Sequence, residues 1–182
     1  LRQQGRRQVL AAGVPAARRG AADRAMFASS SCGVCGKATI DRLRQKVPPL
    51  SPPLAVDDAV LMGLPRVLRE AQDVFESTGG LHAAGLFTAE GGLEVSREDI
   101  GRHNAVDKVI GWRLRHDAVP IDDRILLVSG RAGFEIIQKA LMAGISTVAA
   151  VGAPSSLAVE LARDSGMRLI GFLRDGRFNQ YS

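Results

Sequence analysis

Cys32 and Cys35, the only cysteines among 182 residues, stand in the stretch Ser29-Ser30-Ser31-Cys32-Gly33-Val34-Cys35-Gly36-Lys37. Serines and glycines around them offer no apolar face, so the pair reads as exposed, reactive sulfur. A helix opening within the following Ala38–Gln45 stretch puts Cys35 near a positive helix end with Lys37 beside it, and both favour thiolate over thiol. A thiolate attacks sulfur or binds metal. Two thiols in one short motif cannot staple distant parts of a fold, which points to catalytic or metal-binding cysteines in a reducing compartment. One Cys-x-x-Cys supplies half of a zinc site, and a thioredoxin-type pair opens a helix directly after a strand, where here glycines and a proline tract surround it. A zinc deaminase needs His-x-Glu followed by Pro-Cys-x-x-Cys. His82-Ala83-Ala84 lacks the glutamate, and the cysteines precede it. What remains is a thiolate that carries persulfide sulfur from one partner to another by attack and exchange.

Residues suited to a ligand lie further along. Ser129-Gly130-Arg131, Gly152-Ala153-Pro154-Ser155-Ser156 and Leu173-Arg174-Asp175-Gly176-Arg177 each follow a short apolar run, and the first two open helices. Small residues permit close backbone approach, helix starts offer free N–H groups, and Arg131, Arg174 and Arg177 can fork onto phosphate oxygens. The three loops together imply a phosphorylated, nucleotide-like ligand. The densest polar cluster is Gly101-Arg102-His103-Asn104-Ala105-Val106-Asp107-Lys108. Asn104 or Asp107 as a helix cap or first-turn acid, with Arg102 and Lys108 solvated, accounts for half of it. Arg102 and His103, adjacent at the mouth of a loop, are assigned to ligand contact. His82 opens an apolar strand and reads as a core or edge histidine; His116 lies among charges and reads as surface.

An apolar content of 46% with only 4% aromatic residues leaves Ala, Val, Leu, Ile and 20 Gly to do the packing, which suits an α/β fold. The net charge of +5 owes much to arginines in the first 24 residues, a weak pointer to nucleic acid, and no nucleic-acid partner is expected. No apolar run approaches a membrane span. Arg6-Arg7-Gln8-Val9-Leu10 has the look of a twin-arginine export signal, but the apolar part is short and runs into Arg18-Arg19, so a cytoplasmic location is expected. The chain opens on Leu1, as a fragment or a misplaced start would. Residues 1–27 read as a basic, poorly ordered or degenerate segment, and Pro48–Pro53 as a stiff linker. Pro65 is placed in the first turn of a helix running to Thr78, which Gly79-Gly80 ends. Strands are expected over 81–89 and 93–96 around a Glu90-Gly91-Gly92 turn, then a helix over 105–115. Alternation follows: strand 125–129, helix 132–143, strand 146–151, helix 155–165, strand 168–173. Such alternation predicts a three-layer α/β/α mixed, mostly parallel sheet, with ligands beyond the carboxyl ends of the strands.

Taken in order, Ser30-Ser31-Cys32-Gly33-Val34-Cys35-Gly36-Lys37, Gly79-Gly80-Leu81-His82-Ala83-Ala84, Glu98–Lys108, Ser129-Gly130-Arg131, Ala153–Ala158 and Gly171-Phe172-Leu173-Arg174 resemble the FdhD family of formate dehydrogenase accessory sulfurtransferases. The resemblance covers residues 28–182, and it implies a cytidine-deaminase-like fold, dimeric and without the deaminase zinc. The family's N-terminal region is largely missing. It further implies a sulfur carrier: a cysteine desulfurase loads a persulfide on Cys32, with Cys35 a second or resolving thiol. The sulfur then passes to molybdenum bis(molybdopterin guanine dinucleotide) before that cofactor enters formate dehydrogenase. The molybdenum cofactor is thus a bound substrate, and no permanent cofactor or metal is expected. Phe172, Leu173, Arg174, Asp175, Gly176 and Arg177 match the stretch assigned to cofactor binding. Arg102, His103, Gly130, Arg131, Pro154 and Ser155 join them from the phosphate-loop reading. Two alternatives stand beside this: a nucleotide-binding chaperone whose cysteines serve a metal or the dimer, and an inactive truncated paralogue.

Overall fold

The structure, a computed structural model, describes residues 49–116, 118–174 and 176–182. Cys32, Cys35, the basic segment before them and the helix expected after them lie outside the described residues, as does Asp175.

Helix α1 spans Asp58–Glu70. Asp57 caps it by accepting the Ala59 N–H at 2.7 Å, and Leu61, Leu64 and Leu68 form its buried stripe. Pro65 therefore sits inside the helix, not in its first turn as expected. An interior proline costs about 3 kcal/mol. Three fully buried leucines contribute about 2 kcal/mol each, so the stripe prevails and carries the helix through the proline. A short α2, Asp73–Thr78, follows and ends where Gly79 turns left-handed. Its first N–H groups, on Val74 and Phe75, donate to the Glu98 carboxylate at 3.0 and 2.8 Å.

The remaining elements are β1 (His82–Phe87), β2 (Leu93–Asp99), α3 (Arg102–Leu114), β3 (Ile125–Val128), α4 (Phe134–Met142), β4 (Thr147–Ala150), α5 (Ser156–Ser165), β5 (Arg168–Arg174) and β6 (Arg177–Gln180). The strands form one sheet in the order β2-β1-β3-β4-β5-β6. Only β3-β4 and β4-β5 pair in parallel; β1-β2, β1-β3 and β5-β6 are antiparallel. This corrects the mostly parallel, deaminase-like sheet expected above: the sheet is mixed, and three of its five pairings are antiparallel. The cause is local at both flanks. The Glu90–Gly92 turn folds β2 back on β1, and the residues after Arg174 fold β6 back on β5. The stretch Phe172–Arg177, expected as a loop, is thus the tip of a hairpin.

Helices α3, α4 and α5 cover one face of the sheet around Val106, Ile136, Leu141 and Leu161. Helix α1 covers the other, over Ala83, Leu127, Ala149 and Ile170. The extended residues before α1 are docked at the amino ends of the central strands. Leu54 N–H donates to Thr147 Oγ1 at 3.2 Å, and Ser51 Oγ donates to Asp122 at 3.0 Å.

Candidate functional site

Backbone contacts draw three loops together beyond the carboxyl ends of β3, β4 and β5. Gly152 N–H donates to Gly130 O at 2.9 Å, Phe172 N–H to Gly152 O at 3.1 Å, and Ser155 N–H to Ala132 O at 3.0 Å. Glycine is required at 152: a Cβ there would lie 2.9 Å from Gly130 O and 3.1 Å from Arg131 Cα. Phe172 holds a left-handed φ of 54° where β5 departs from regular pairing, and its ring is 38% exposed. A non-glycine residue in that region stores strain, and such strain persists where surrounding structure overdetermines it.

Gly130, Arg131, Pro154, Ser155, Phe172, Arg174 and Arg177 therefore share one edge of the sheet. Their side chains differ in what they can offer. Leu173 is fully buried in the core under α1, so its side chain is packing. The Ser155 hydroxyl accepts the Ala158 N–H at 3.3 Å as the cap of α5. Arg131, Arg174 and Arg177 are exposed and have no carboxylate partner among the described residues. Arg174 and Arg177 are paired across the hairpin and line, with Phe172 and Phe178, a depression of about 390 Å³.

The cluster around residues 101–108 is the first two turns of α3 and not a loop. Asp99 holds its start. One carboxylate oxygen accepts from Gly101 N–H at 2.9 Å and Asn104 Nδ2 at 3.0 Å, and the other lies 2.6 Å from Lys108 Nζ. The Lys108 hydrogen bond first, then those from Gly101 and Asn104, hold this carboxyl down to about 2. The helix turns its two candidate residues in different directions. Arg102 lies toward Gly130, its Cδ 4.0 Å from where a Cβ on that glycine would stand, and its Nε is buried without a partner. His103 lies toward α4, with Nε2 3.1 Å from Glu135 Oε2, in a groove that Ile110 and Met142 also line. Burial pushes the His103 pKa down, against the opposing pull of Glu135.

His82 joins the site although its sequence context reads as core. Its Nδ1 is 3.2 Å from the position of a Gly130 Cβ. Pairing of β1 with β3 puts it there: Ala83 N–H donates to Ser129 Oγ at 2.8 Å, and Ser129 N–H to Ala83 O at 2.9 Å. Gly79-Gly80 directly before Leu81-His82 was the one available sequence signal. Beside His82 a cavity of about 490 Å³ opens under the α1–α2 junction, lined by Leu68, Arg69, Gln72, Phe75 and Ser129 among others. Among the described residues, no cluster of three or more His, Cys, Asp or Glu side chains could hold a metal ion, and no helix is long and apolar enough to cross a membrane.

A mixed sheet with convergent small-residue loops, beside arginines that have no carboxylate partner among the described residues, defines an α/β protein with an edge whose chemistry suits anions. Comparison with known proteins narrows this: the model of the FdhD/NarQ family matches residues 3–182, and the chain belongs to that family. Over 161 residues it is 55% identical to the sulfur carrier protein FdhD of Mycolicibacterium paratuberculosis, covering 87% of this chain and 59% of that protein. It is 47% identical over 154 residues to the protein of the same name from Thermoplasma acidophilum, covering 85% and 54%. The chain thus spans a little over half the length of these curated relatives. A solved structure from Desulfotalea psychrophila, assigned as a formate dehydrogenase accessory protein, superposes with a TM-score of 0.69 at 30% identity, covering 78% of this chain and 59% of that one. The likeness to a guanine deaminase from Nitrosomonas europaea is slight, with a TM-score of 0.47 and 12% identity over 69% of this chain and 82% of that one.

Proposed function

We propose that this chain is a sulfur carrier, a sulfurtransferase that accepts persulfide sulfur from a cysteine desulfurase and delivers it to molybdenum bis(molybdopterin guanine dinucleotide) for formate dehydrogenase. Its family and its half-length match to proteins named sulfur carriers support the class of activity. The observation that carries the substrate is the edge where Gly130, Gly152 and Phe172 are joined by backbone hydrogen bonds beside four arginines without carboxylate partners among the described residues. Such an edge suits a doubly phosphorylated, extended ligand. Arg102, Arg131, Arg174 and Arg177 are its anion contacts, Gly130, Gly176, Pro154, Ser155 and Leu173 contribute backbone and shape, and Asp175 completes the proposed set; His103, turned toward Glu135 of α4, stands outside it.

In the proposed reaction the Cys32 thiolate attacks the outer sulfur of the desulfurase persulfide. The desulfurase S–S bond breaks, a new one forms on Cys32, and the desulfurase thiolate leaves. Cys35 then attacks Cys32 Sγ, forming a disulfide between the two and releasing the outer sulfur as sulfide to the acceptor. A cellular dithiol restores the pair. The working form is a cytoplasmic homodimer. Incubation with a desulfurase and cysteine, followed by intact-mass measurement, should add one sulfur atom to the wild type and none to Cys32→Ala. Equal loading of both, or of neither, defeats the reading.

A further inference from the structure

Helix α3 begins where β2 ends and α4 begins where β3 ends, so both run from the carboxyl ends of the central strands toward their amino ends. The groove between them has a volume of about 670 Å³. Its carboxyl-end mouth is polar, with His103 and Glu135 3.1 Å apart. Its other half is apolar and open: Leu114 is 62% exposed, Met142 56% and Val119 40%, and Ile110 also lines it. Single exposed apolar side chains need no explanation, but several along one groove mark a surface that something covers. The described chain begins beside this half. Leu54 N–H is held by Thr147 and Pro52 O by Ser146 at the amino end of β4, while Ser51 reaches Asp122 beside β3. Followed upstream, the chain therefore crosses from β4 toward β3, and Leu50 packs on the face that carries α3 and α4. The connection that holds Asp122 also holds Val119 of the groove.

We infer that residues 37–47 of the same chain occupy this groove as an amphipathic helix, with Val47 at the Val119 end and Lys37 at the Glu135 end. In a helix Ile40, Leu43 and Val47 share one face, the pattern an apolar groove requires. Pro48 and Pro49 end such a helix at Val47, just before the point where Leu50 is seated. Residues 37–47 extend about 16 Å as a helix and the 13-residue α3 about 20 Å, so the segment spans most of the groove. Charge matches as well. The segment carries Lys37, Arg42, Arg44 and Lys46 against Asp41. In the groove Lys139 is held by Asp107 at 2.6 Å, and burial lowers the His103 pKa, so Glu135 faces no full cation at neutral pH. Lys37 supplies one. Docking fixes Lys37, which directly follows the Cys32–Gly36 motif in the sequence, at the end of the sheet where Gly130, Gly152 and Phe172 converge. The inference does not depend on the proposed sulfur chemistry, and its failure leaves that reading standing.

Photo-crosslinking of the full chain tests it, using Met142→p-benzoylphenylalanine and an equal mixture of protein labelled with light and heavy nitrogen. The cross-linked peptide should come from residues 37–47 and carry a single isotope at every protein concentration. A mixed-isotope product assigns the groove to a second copy of the chain and overturns the inference. Cross-linking to another part of the chain, or none at all, overturns it too. Leu43→Glu puts a charge on the docked face. It should lower the yield about tenfold and speed trypsin cleavage after Arg42, Arg44 and Lys46 by a similar factor. Gln45→Glu, on the opposite face of the helix, should leave both unchanged. Equal effects of the two substitutions, or no effect of either, defeat the docked face. Should Leu43→Glu fail to fold, Leu114→Glu at its exposed position gives the same readout from the groove side.

Discussion

Arginines gather at both ends of this sheet, and they are treated in opposite ways. At the amino ends of β2 and β3, Arg113 places its two terminal nitrogens 2.9 Å from Glu94 and 2.7 Å from Asp123, and Arg124 reaches the same two carboxylates. Arg113 is 90% buried there, so the charges complete one another in a region of reduced solvent. At the carboxyl ends, Arg102, Arg131, Arg174 and Arg177 have no carboxylate within reach among the described residues. The first cluster spends its terminal guanidinium nitrogens on the fold's own carboxylates, although Arg113 Nε, like Arg102 Nε, is buried without a partner. The second spends none on a carboxylate among the described residues, which is what the proposed anion contacts require.

The contrast can be broken in order of expected effect. Arg113→Ala leaves Glu94 and Asp123 with Arg124 as their remaining cation, empties a buried side-chain position and should destabilise the fold by about 2–3 kcal/mol. Denaturant unfolding measures this, while pyrophosphate affinity of the folded protein should not move. Gly152→Ala forces a methyl group against Gly130 O and should cost about 2 kcal/mol. Unlike the Arg113 variant, it should also weaken pyrophosphate binding, because the displaced loop belongs to the proposed site. Arg174→Ala with Arg177→Ala should leave stability within about 0.5 kcal/mol while weakening pyrophosphate about tenfold per arginine and flattening the salt dependence of binding. If that pair proves neutral in binding, the division between the two ends is wrong.

Two smaller effects follow from titration. The folded pKa of His103 lies below the ordinary 6.5, mainly through burial. Folding therefore opposes its protonation, and its contribution to stability is complete above 6.5 and is lost as pH falls below that value. His103→Gln should flatten this limb in pH-dependent unfolding. Asp99 behaves in the same sense at lower pH: its contribution is present above the ordinary 3.8 and disappears as pH falls through about 2. Asp99→Asn should remove the acid limb between those values, with fraying confined to the start of α3 in hydrogen exchange. A change of anion affinity in His103→Gln, larger than that in the Arg174 and Arg177 pair, would move His103 from the α4 contact to the binding edge.

How much of this could be read from the chain depends on the distance over which each decision is made. The β1–β2 hairpin was legible because Glu90-Gly91-Gly92 sets it within a few residues. The alternation from β3 to β5 was legible because burial periods of two and 3.6 are local patterns. The extent of α1 was not, since leucines at 61, 64 and 68 count only once a sheet face exists to receive them. Strand β6 escaped for a similar reason: Arg177–Gln180 has almost no buried side chain and exists as a strand by pairing with β5.

Motif order alone was sufficient for the family, and residue identity and spacing singled out the three loops that converge at Gly130, Gly152 and Phe172, because both are local properties of the chain. Which side chains face which surface was decided by packing. Antiparallel entry of β1 beside β3 brought His82 to Gly130, and the rotation of α3 sent Arg102 toward Gly130 as well and His103 toward Glu135. The break between α1 and α2 left Gln72 buried beside a cavity. Each of these turns on contacts between residues far apart in the chain, where no local pattern carries the information.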